Sequence, residues 1–201
     1  MQTDAELLED VIQSPSSAVV RIYRWDQPTV SLGYFQPPDA ETDRRLAACP
    51  RVRRLTGGGA ILHDQEITYS CVLPACHPIR KNPTALYDLV HNVIVDLLGE
   101  CGVRAALRMN ASTPADTSEG ADPFLCFLRS DPRDIVCRGY KIVGSAQRRR
   151  RGHILQHGSI MLSKSALTPE LPGILDLCEA FDRARFEAQL GPRIRSAISL
   201  P

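Results

Sequence analysis

The stripe Leu86, Leu89, Val90, Val93, Ile94, Leu97 and Leu98 is the clearest helix in this chain, closing near Gly99 or Gly102. Most of what surrounds it reads as strand. Residues 19–25 are rich in β-branched and aromatic positions, and 29–35, 51–55, 60–62, 66–73 and 103–109 also read as strand. Residues 134–137 and 140–146 flank Arg138-Gly139 as a hairpin, and 153–162 follows a second turn at 148–152. Shorter helices are expected elsewhere. Thr3-x-x-Glu6 reads as a capping box ahead of Leu7, Leu8, Val11 and Ile12. Asp39 can cap a polar helix reaching about Ala48, and Asn82-Pro83 reads as a cap with proline at the first helical position. Residues 167–190 read as helix with a break at Pro172-Gly173. These elements interleave without regular β-α alternation, which predicts an α+β architecture: a mixed sheet with helices packed on it.

A length of 201 residues fits one domain with an adequate core. The net charge of +1 gives no case for a nucleic-acid or membrane surface, and no apolar run approaches the ~20 residues that cross a bilayer. The polar start argues against a signal peptide. Seven cysteines, with no C-x-x-C pair, support neither a disulfide framework nor a zinc ribbon, so a reducing cytoplasm is expected, with most thiols acting as small buried apolar groups.

Three blocks carry chemistry. In Arg53-Arg54-Leu55-Thr56-Gly57-Gly58-Gly59-Ala60-Ile61-Leu62-His63-Asp64, the glycines either form a plain turn or let backbone amides approach a ligand. The two arginines can hold a carboxylate, a phosphate or a pantetheine-like group. The spacing matches neither a P-loop nor a dinucleotide fingerprint. In Tyr140-Lys141-Ile142-Val143-Gly144-Ser145-Ala146-Gln147, Lys141 is one of three lysines against twenty-one arginines. A lysine in an apolar strand either sends its head to solvent or has a partner that offsets its burial. In Gln156-His157-Gly158-Ser159, the histidine is either a pocket wall or a hydrogen-bonded core residue. The run Arg148-Arg149-Arg150-Arg151 is either a solvated hairpin tip or a docking patch for an acidic partner. Residues 110–123 form the one long breaker-rich segment, a length more often functional than inert.

Taken in order, these blocks resemble the biotin/lipoate protein ligase superfamily over about residues 20–162. The resemblance implies a fold like class II aminoacyl-tRNA synthetases and biotin ligases, with a central mixed sheet flanked by helices and a tunnel for an acyl chain. Cys126-Phe127 stands fifteen residues before Lys141, and Glu66-Ile67-Thr68-Tyr69-Ser70 follows His63-Asp64. In these features the chain looks like the octanoyl-carrier-protein:protein N-octanoyltransferases.

That branch implies transfer of an octanoyl or lipoyl group from acyl carrier protein to a lysine of a lipoyl-acceptor protein such as the glycine cleavage H protein. Cys126 would be the nucleophile and Lys141 its partner, favouring the reactive thiolate. Arg54, Gly57, Gly58, Gly59, His63, Gly144, Ser145, Gln147, His157 and Gly158 would line the substrate pocket. No cofactor or metal is implied; ATP and Mg belong only to a rival reading, an ATP-dependent lipoate ligase. An amidotransferase acting between lipoyl domains and a non-catalytic acyl-binding module also fit the resemblance. The sequence departs from the branch where Pro-Ser-x-x-Glu is usual after Cys-Phe. It has Leu128-Arg129-Ser130-Asp131-Pro132-Arg133-Asp134, so Asp134 stands as the candidate for the glutamate's place. Gly59 is closer to the ligases. Set against the family, residues 1–201 read as a single catalytic domain short at both ends.

Overall fold

The computed structural model describes residues 2–14, 17–37, 44–111 and 124–199. Helix α1 (Gln2–Gln13) leads into strands β1 (Val19–Tyr23) and β2 (Thr29–Leu32). Strands β3 (Arg51–Arg53), β4 (Ile61–His63) and β5 (Glu66–Leu73) precede helix α2 (Ala85–Glu100). Strands β6 (Ala106–Leu107), β7 (Ile135–Cys137), β8 (Tyr140–Arg150) and β9 (His153–Met161) follow, then the single turn α3 (Ile174–Leu177) and helix α4 (Arg183–Ile198).

Six strands form one sheet in the order β1-β5-β9-β8-β7-β6, antiparallel at every pairing. The mixed character expected of the fold resides in a second sheet, β3-β2-β4, where β2 runs parallel to β3 and antiparallel to β4. The two hairpins joining β7 to β8 and β8 to β9 share one solution. Arg138-Gly139 and Arg151-Gly152 have φ of 50° and 85°, then 50° and 83°. Positive φ at both central residues gives the turn whose twist matches antiparallel strands, and a glycine at the second position carries it without steric cost.

Every residue of β5 and β9 is buried, because the sheet is covered on both faces. Alternation sorts their side chains. Ile67, Tyr69, Cys71 and Leu73 join Leu86, Val90, Ile94, Leu97 and Leu98 of α2 and Phe186, Leu190 and Ile194 of α4 in the main core. The other face of these two strands is unusually polar, with Glu66, Thr68, Ser70, His157 and Ser159 all buried. It is roofed by α1 and the small sheet.

Several boundaries differ from the sequence expectation. Helix α1 begins at Gln2, so Thr3 lies inside the first turn rather than capping it. Asn82 does not cap α2: its Oδ1 accepts from the Thr84 amide at 3.0 Å, and the helix starts at Ala85. Strand formation over 103–109 is confined to β6. The helix expected over 167–190 is replaced by turns, α3 and α4, since Gly173 and Asp176 start a separate turn through a 2.9 Å amide-to-carboxylate bond. Of the helix expected from Asp39 to about Ala48, residues 39–43 lie outside the described residues and Arg44–Leu46 form a single 3-10 turn; residues 112–123 of the long segment also lie outside. No described helix is long and apolar enough to cross a membrane.

Candidate active site

Cys126 lies in a short helical turn, Cys126–Leu128, fastened to the end of the small sheet. Ala60 donates its amide to Phe124 O at 2.9 Å and accepts the Cys126 amide at 2.7 Å. The cysteine borders two cavities. The first is lined by Arg54, Gly57, Gly58, Ile61, His63, Thr68, Phe127, Gly144, Ser145, Ala146, His157, Gly158 and Ser159 together with Cys126. The second adds Lys141, Asp134, Asp131, Arg129, Thr84 and, from the start of α2, Tyr87 and His91. Cys126, Gly58 and Ser145 border both.

Lys141 is buried, and its head does not reach solvent. Its Nζ is 2.9 Å from Asp134 Oδ1, with both side chains only 5% exposed. The ammonium also donates to Cys126 O at 3.3 Å and Arg129 O at 3.4 Å, so the lysine holds the backbone of the cysteine turn. Gly144 makes room for it: a Cβ there would stand 2.5 Å from Lys141 Cε. Burial raises the pKa of the Asp134 carboxyl, while the Lys141 ammonium opposes the rise.

Arg54 does not reach out for an anion. It is almost fully buried, and its guanidinium donates to Ser31 O at 2.9 Å, Gly57 O at 2.8 Å and Gly59 O at 2.6 Å, tying the glycine loop to β2. Burial lowers its pKa to about 10, with Cys126 pulling the other way, so it remains charged at neutral pH. Arg53 likewise donates to the carbonyls of Gly33, Tyr34 and Gln36. The loop closes tightly on β2, since a Cβ on Gly33 would stand 2.0 Å from Gly58 O.

Both expected histidines are wired to buried carboxylates. His63 meets Glu66 Oε1 and Ser31 Oγ, each at 2.7 Å, and stacks on Trp25 with centroids 4.2 Å apart. His157 Nε2 is 2.6 Å from Thr56 Oγ1, and its Nδ1 is 3.8 Å from Asp4 Oδ2, an ion-pair distance rather than a hydrogen bond. Burial pushes the His157 pKa down, against the pull of Asp4. Burial alone would raise Asp4; the His157 ring and the hydroxyls of Tyr23 and Ser70 outweigh it and hold the carboxyl well below the usual range. With the His157 ring neutral, the bonds from Tyr23, Ser70 and Arg21 at 2.9, 2.9 and 3.0 Å still favour the Asp4 carboxylate.

Two expected pocket residues line neither cavity. Gly59 lies under Arg129, whose Nε would be 2.6 Å from a Cβ there. Gln147 donates to Gln156 Oε1 at 2.8 Å, and Gln156 donates to Tyr69 OH at 3.1 Å, a chain on the helix-facing side of the sheet. The sequence reading misses Asp4, Thr56 and His91. Inside a helical stripe His91 carries no signal of its own, yet its Nδ1 is 2.6 Å from Arg133 O and its Nε2 2.7 Å from Ser145 Oγ. Three arginines of the run have partners: Arg149 donates to the carbonyls of Arg80, Asn82 and Pro83, Arg150 pairs with Glu9, and Arg148 covers the Tyr34 ring, while Arg149 to Arg151 stay exposed.

Cys126 thus sits between two cavities, with the Lys141 ammonium bonded to its carbonyl. The model of the lipoyl protein ligase A/B catalytic domain matches residues 1–180, and the chain belongs to that family. The octanoyltransferase LipM of Macrococcus caseolyticus is 35% identical over 195 residues, covering 94% of this chain and 66% of that protein. The LipM of Geobacillus kaustophilus is 38% identical over 173 residues, covering 81% of this chain and 60% of the relative. The chain therefore spans roughly three fifths to two thirds of these relatives' length. A lipoate-protein ligase A bound with ATP superposes with a TM-score of 0.68 at 21% identity, covering 97% of this chain and 80% of that one. A bipartite lipoate protein ligase of Thermoplasma acidophilum gives 0.66 at 19%, covering 97% and 78%. These likenesses establish the expected ligase-type α+β fold.

Proposed function

We propose that this chain transfers an octanoyl group from the thioester of an acyl carrier protein to a lysine of a lipoyl-acceptor domain, such as the glycine cleavage H protein, through a thioester on Cys126. The observation that carries the reading is the position of Cys126 on the shared rim of two unlike cavities, with Lys141 bonded to its carbonyl. The slot lined by Gly58, Ile61, Phe127 and Gly144 suits the acyl tail. Burying seven methyl and methylene groups there contributes roughly 5 kcal/mol. The second cavity, which carries the charged residues Lys141, Asp134, Asp131 and Arg129, suits the incoming thioester and then the amine.

In the first step the Cys126 thiolate attacks the donor carbonyl carbon, the carbon–sulfur bond to the carrier breaks, and the carrier thiolate leaves and takes a proton from solvent. In the second, a neutral lysine amine attacks the acyl carbon on Cys126, an amide forms, and the proton ends on the departing sulfur. The Lys141 ammonium favours negative charge on sulfur and on the carbonyl oxygen in both. One thioester replaces another and an amide replaces a thioester, so neither ATP nor a bound cofactor is required. Seven free thiols fit a reducing compartment such as the cytoplasm.

The test is mass spectrometry after mixing with octanoyl carrier protein in the absence of ATP. The parent protein is expected to gain a hydroxylamine-sensitive octanoyl group, and Cys126→Ser none. A Cys126→Ser protein that still carries thioester-linked acyl mass removes the assignment. A strict requirement for free acid and ATP replaces it with ligase chemistry.

A further inference from the structure

We infer that Ser145, oriented by His91, is the hydrogen-bond acceptor that positions the attacking lysine amine beside the acyl group on Cys126. This role rests on the transfer reading above and adds two residues to its second step.

Hydrogen-bond polarity assigns the parts. His91 is 1% exposed and comes from α2, outside every motif the sequence offers. Its Nδ1 lies 2.6 Å from Arg133 O, and a carbonyl only accepts, so Nδ1 carries a proton. Burial lowers the ring's pKa to about 4, with the Lys141 charge adding to the effect, so the ring is neutral and Nε2 holds only a lone pair. The 2.7 Å contact between Nε2 and Ser145 Oγ therefore runs one way: the serine donates and the histidine accepts. Ser145 is left with lone pairs to offer. Tyr69, whose hydroxyl accepts from Gln156, also interacts with Ser145 and can give its proton to one of them, which leaves the other free.

An acceptor at this point recognises N–H and is unsuited to an acyl oxyanion. The Lys141 ammonium does not compete for it, since its three protons face Asp134 Oδ1, Cys126 O and Arg129 O. Ser145 borders both cavities, as Cys126 does. An ammonium entering through the second cavity gives one proton to solvent, and the neutral amine then donates an N–H to Ser145 Oγ. That contact turns the nitrogen lone pair toward the acyl carbon. The C–N bond forms, the C–S bond breaks, and the surplus proton passes to the Cys126 sulfur. Ser145 touches the substrate; His91 is a positioning residue.

The experiment separates the two half-reactions by rapid mixing and mass spectrometry, with octanoyl carrier protein as donor and a lipoyl-acceptor domain as nucleophile. Ser145→Ala and His91→Leu are expected to slow transfer about 10- to 100-fold and to slow loading of Cys126 by a clearly smaller factor. His91→Gln, whose amide oxygen can still accept from the serine, is expected to recover most of that loss. Equal slowing of loading and transfer marks a purely structural role and overturns the inference. So does unchanged transfer in Ser145→Ala, a substitution small enough to leave folding intact. A parent protein that never loads Cys126 defeats the transfer reading itself; normal parental loading with indistinguishable variants defeats only the positioning role.

Discussion

Two sides of Cys126 are built on opposite plans. Toward the sheet centre, Asp4, His157, Glu66 and His63 are buried with bonds that run among themselves and to Thr56, Ser31, Ser70 and Tyr23. Toward the cysteine turn, Lys141 bonds to the carbonyls of Cys126 and Arg129, and Asp134 accepts from the Asp131 amide at 2.8 Å. The first side is a closed network joining α1, β1, β5 and β9. The second connects a buried charge pair to the turn that carries Cys126. Burial of ionisable groups is common to both, so burial alone does not mark a site; what differs is whether the bonds lead to the cysteine turn.

This contrast predicts a ranking. Cys126→Ala should remove transfer by roughly 10³-fold or more, read as turnover in folded protein. Lys141→Met should cost about 10²- to 10⁴-fold in turnover and about 3 kcal/mol in stability, because Asp134 is left buried without its partner. Adding Asp134→Leu to Lys141→Met should restore stability measured by urea unfolding but not turnover; recovery of both would erase the distinction between the two sides.

On the closed side the expected signature is the reverse. Asp4→Ala should cost about 3–5 kcal/mol at pH 7 by urea unfolding while activity per folded molecule stays near the parent value. The Asp4 carboxyl is held below its ordinary range in the folded state. Its contribution is therefore full above about pH 4 and is lost as pH falls below that, so parent and variant should converge in acid. Full stability with lost turnover would move Asp4 into the chemistry and break the comparison.

His91 lies between the two sides and sharpens the contrast through its own titration. Its folded-state pKa of about 4 is below the ordinary histidine value. The neutral ring is fully accommodated above about pH 6.5, and as pH falls from there to about 4 the parent should lose on the order of 3 kcal/mol that His91→Gln does not lose. The smallest effect is expected at Arg149→Ala, about 1 kcal/mol, for the lost bonds to three carbonyls ahead of α2. A slower encounter with the carrier, unaccompanied by that loss, would restore the docking reading of the arginine run.

Much of this is legible in the sequence, for reasons that differ by region. Strand β5 reads to its last residue, because Ile67, Tyr69, Cys71 and Leu73 alternate with Glu66, Thr68 and Ser70 at the period of two that marks a strand. The glycine loop, Lys141 and Cys126 are visible as departures from what a plain strand or turn requires. The pairing of Asp4 with His157 is not, since an acidic residue in a first helical turn has an ordinary explanation there. The contact of His91 with Ser145 is hidden likewise, because nothing in a helical stripe tells which strand it will cover. Arg54 reads as a ligand group for its charge, and the structure turns that charge inward onto the carbonyls of its own loop, where a planar fork of donors fits a tight bend.

The reciprocal bonds of Ala60 with Phe124 and Cys126 have a consequence for how such a chain can diverge. Cys126 takes its bearings from the residue just ahead of β4, so the small sheet and the cysteine turn must move together. A substitution that shifts β4 would carry the sulfur with it, and the geometry around that atom is inherited from a sheet whose residues lie more than sixty positions earlier in the chain.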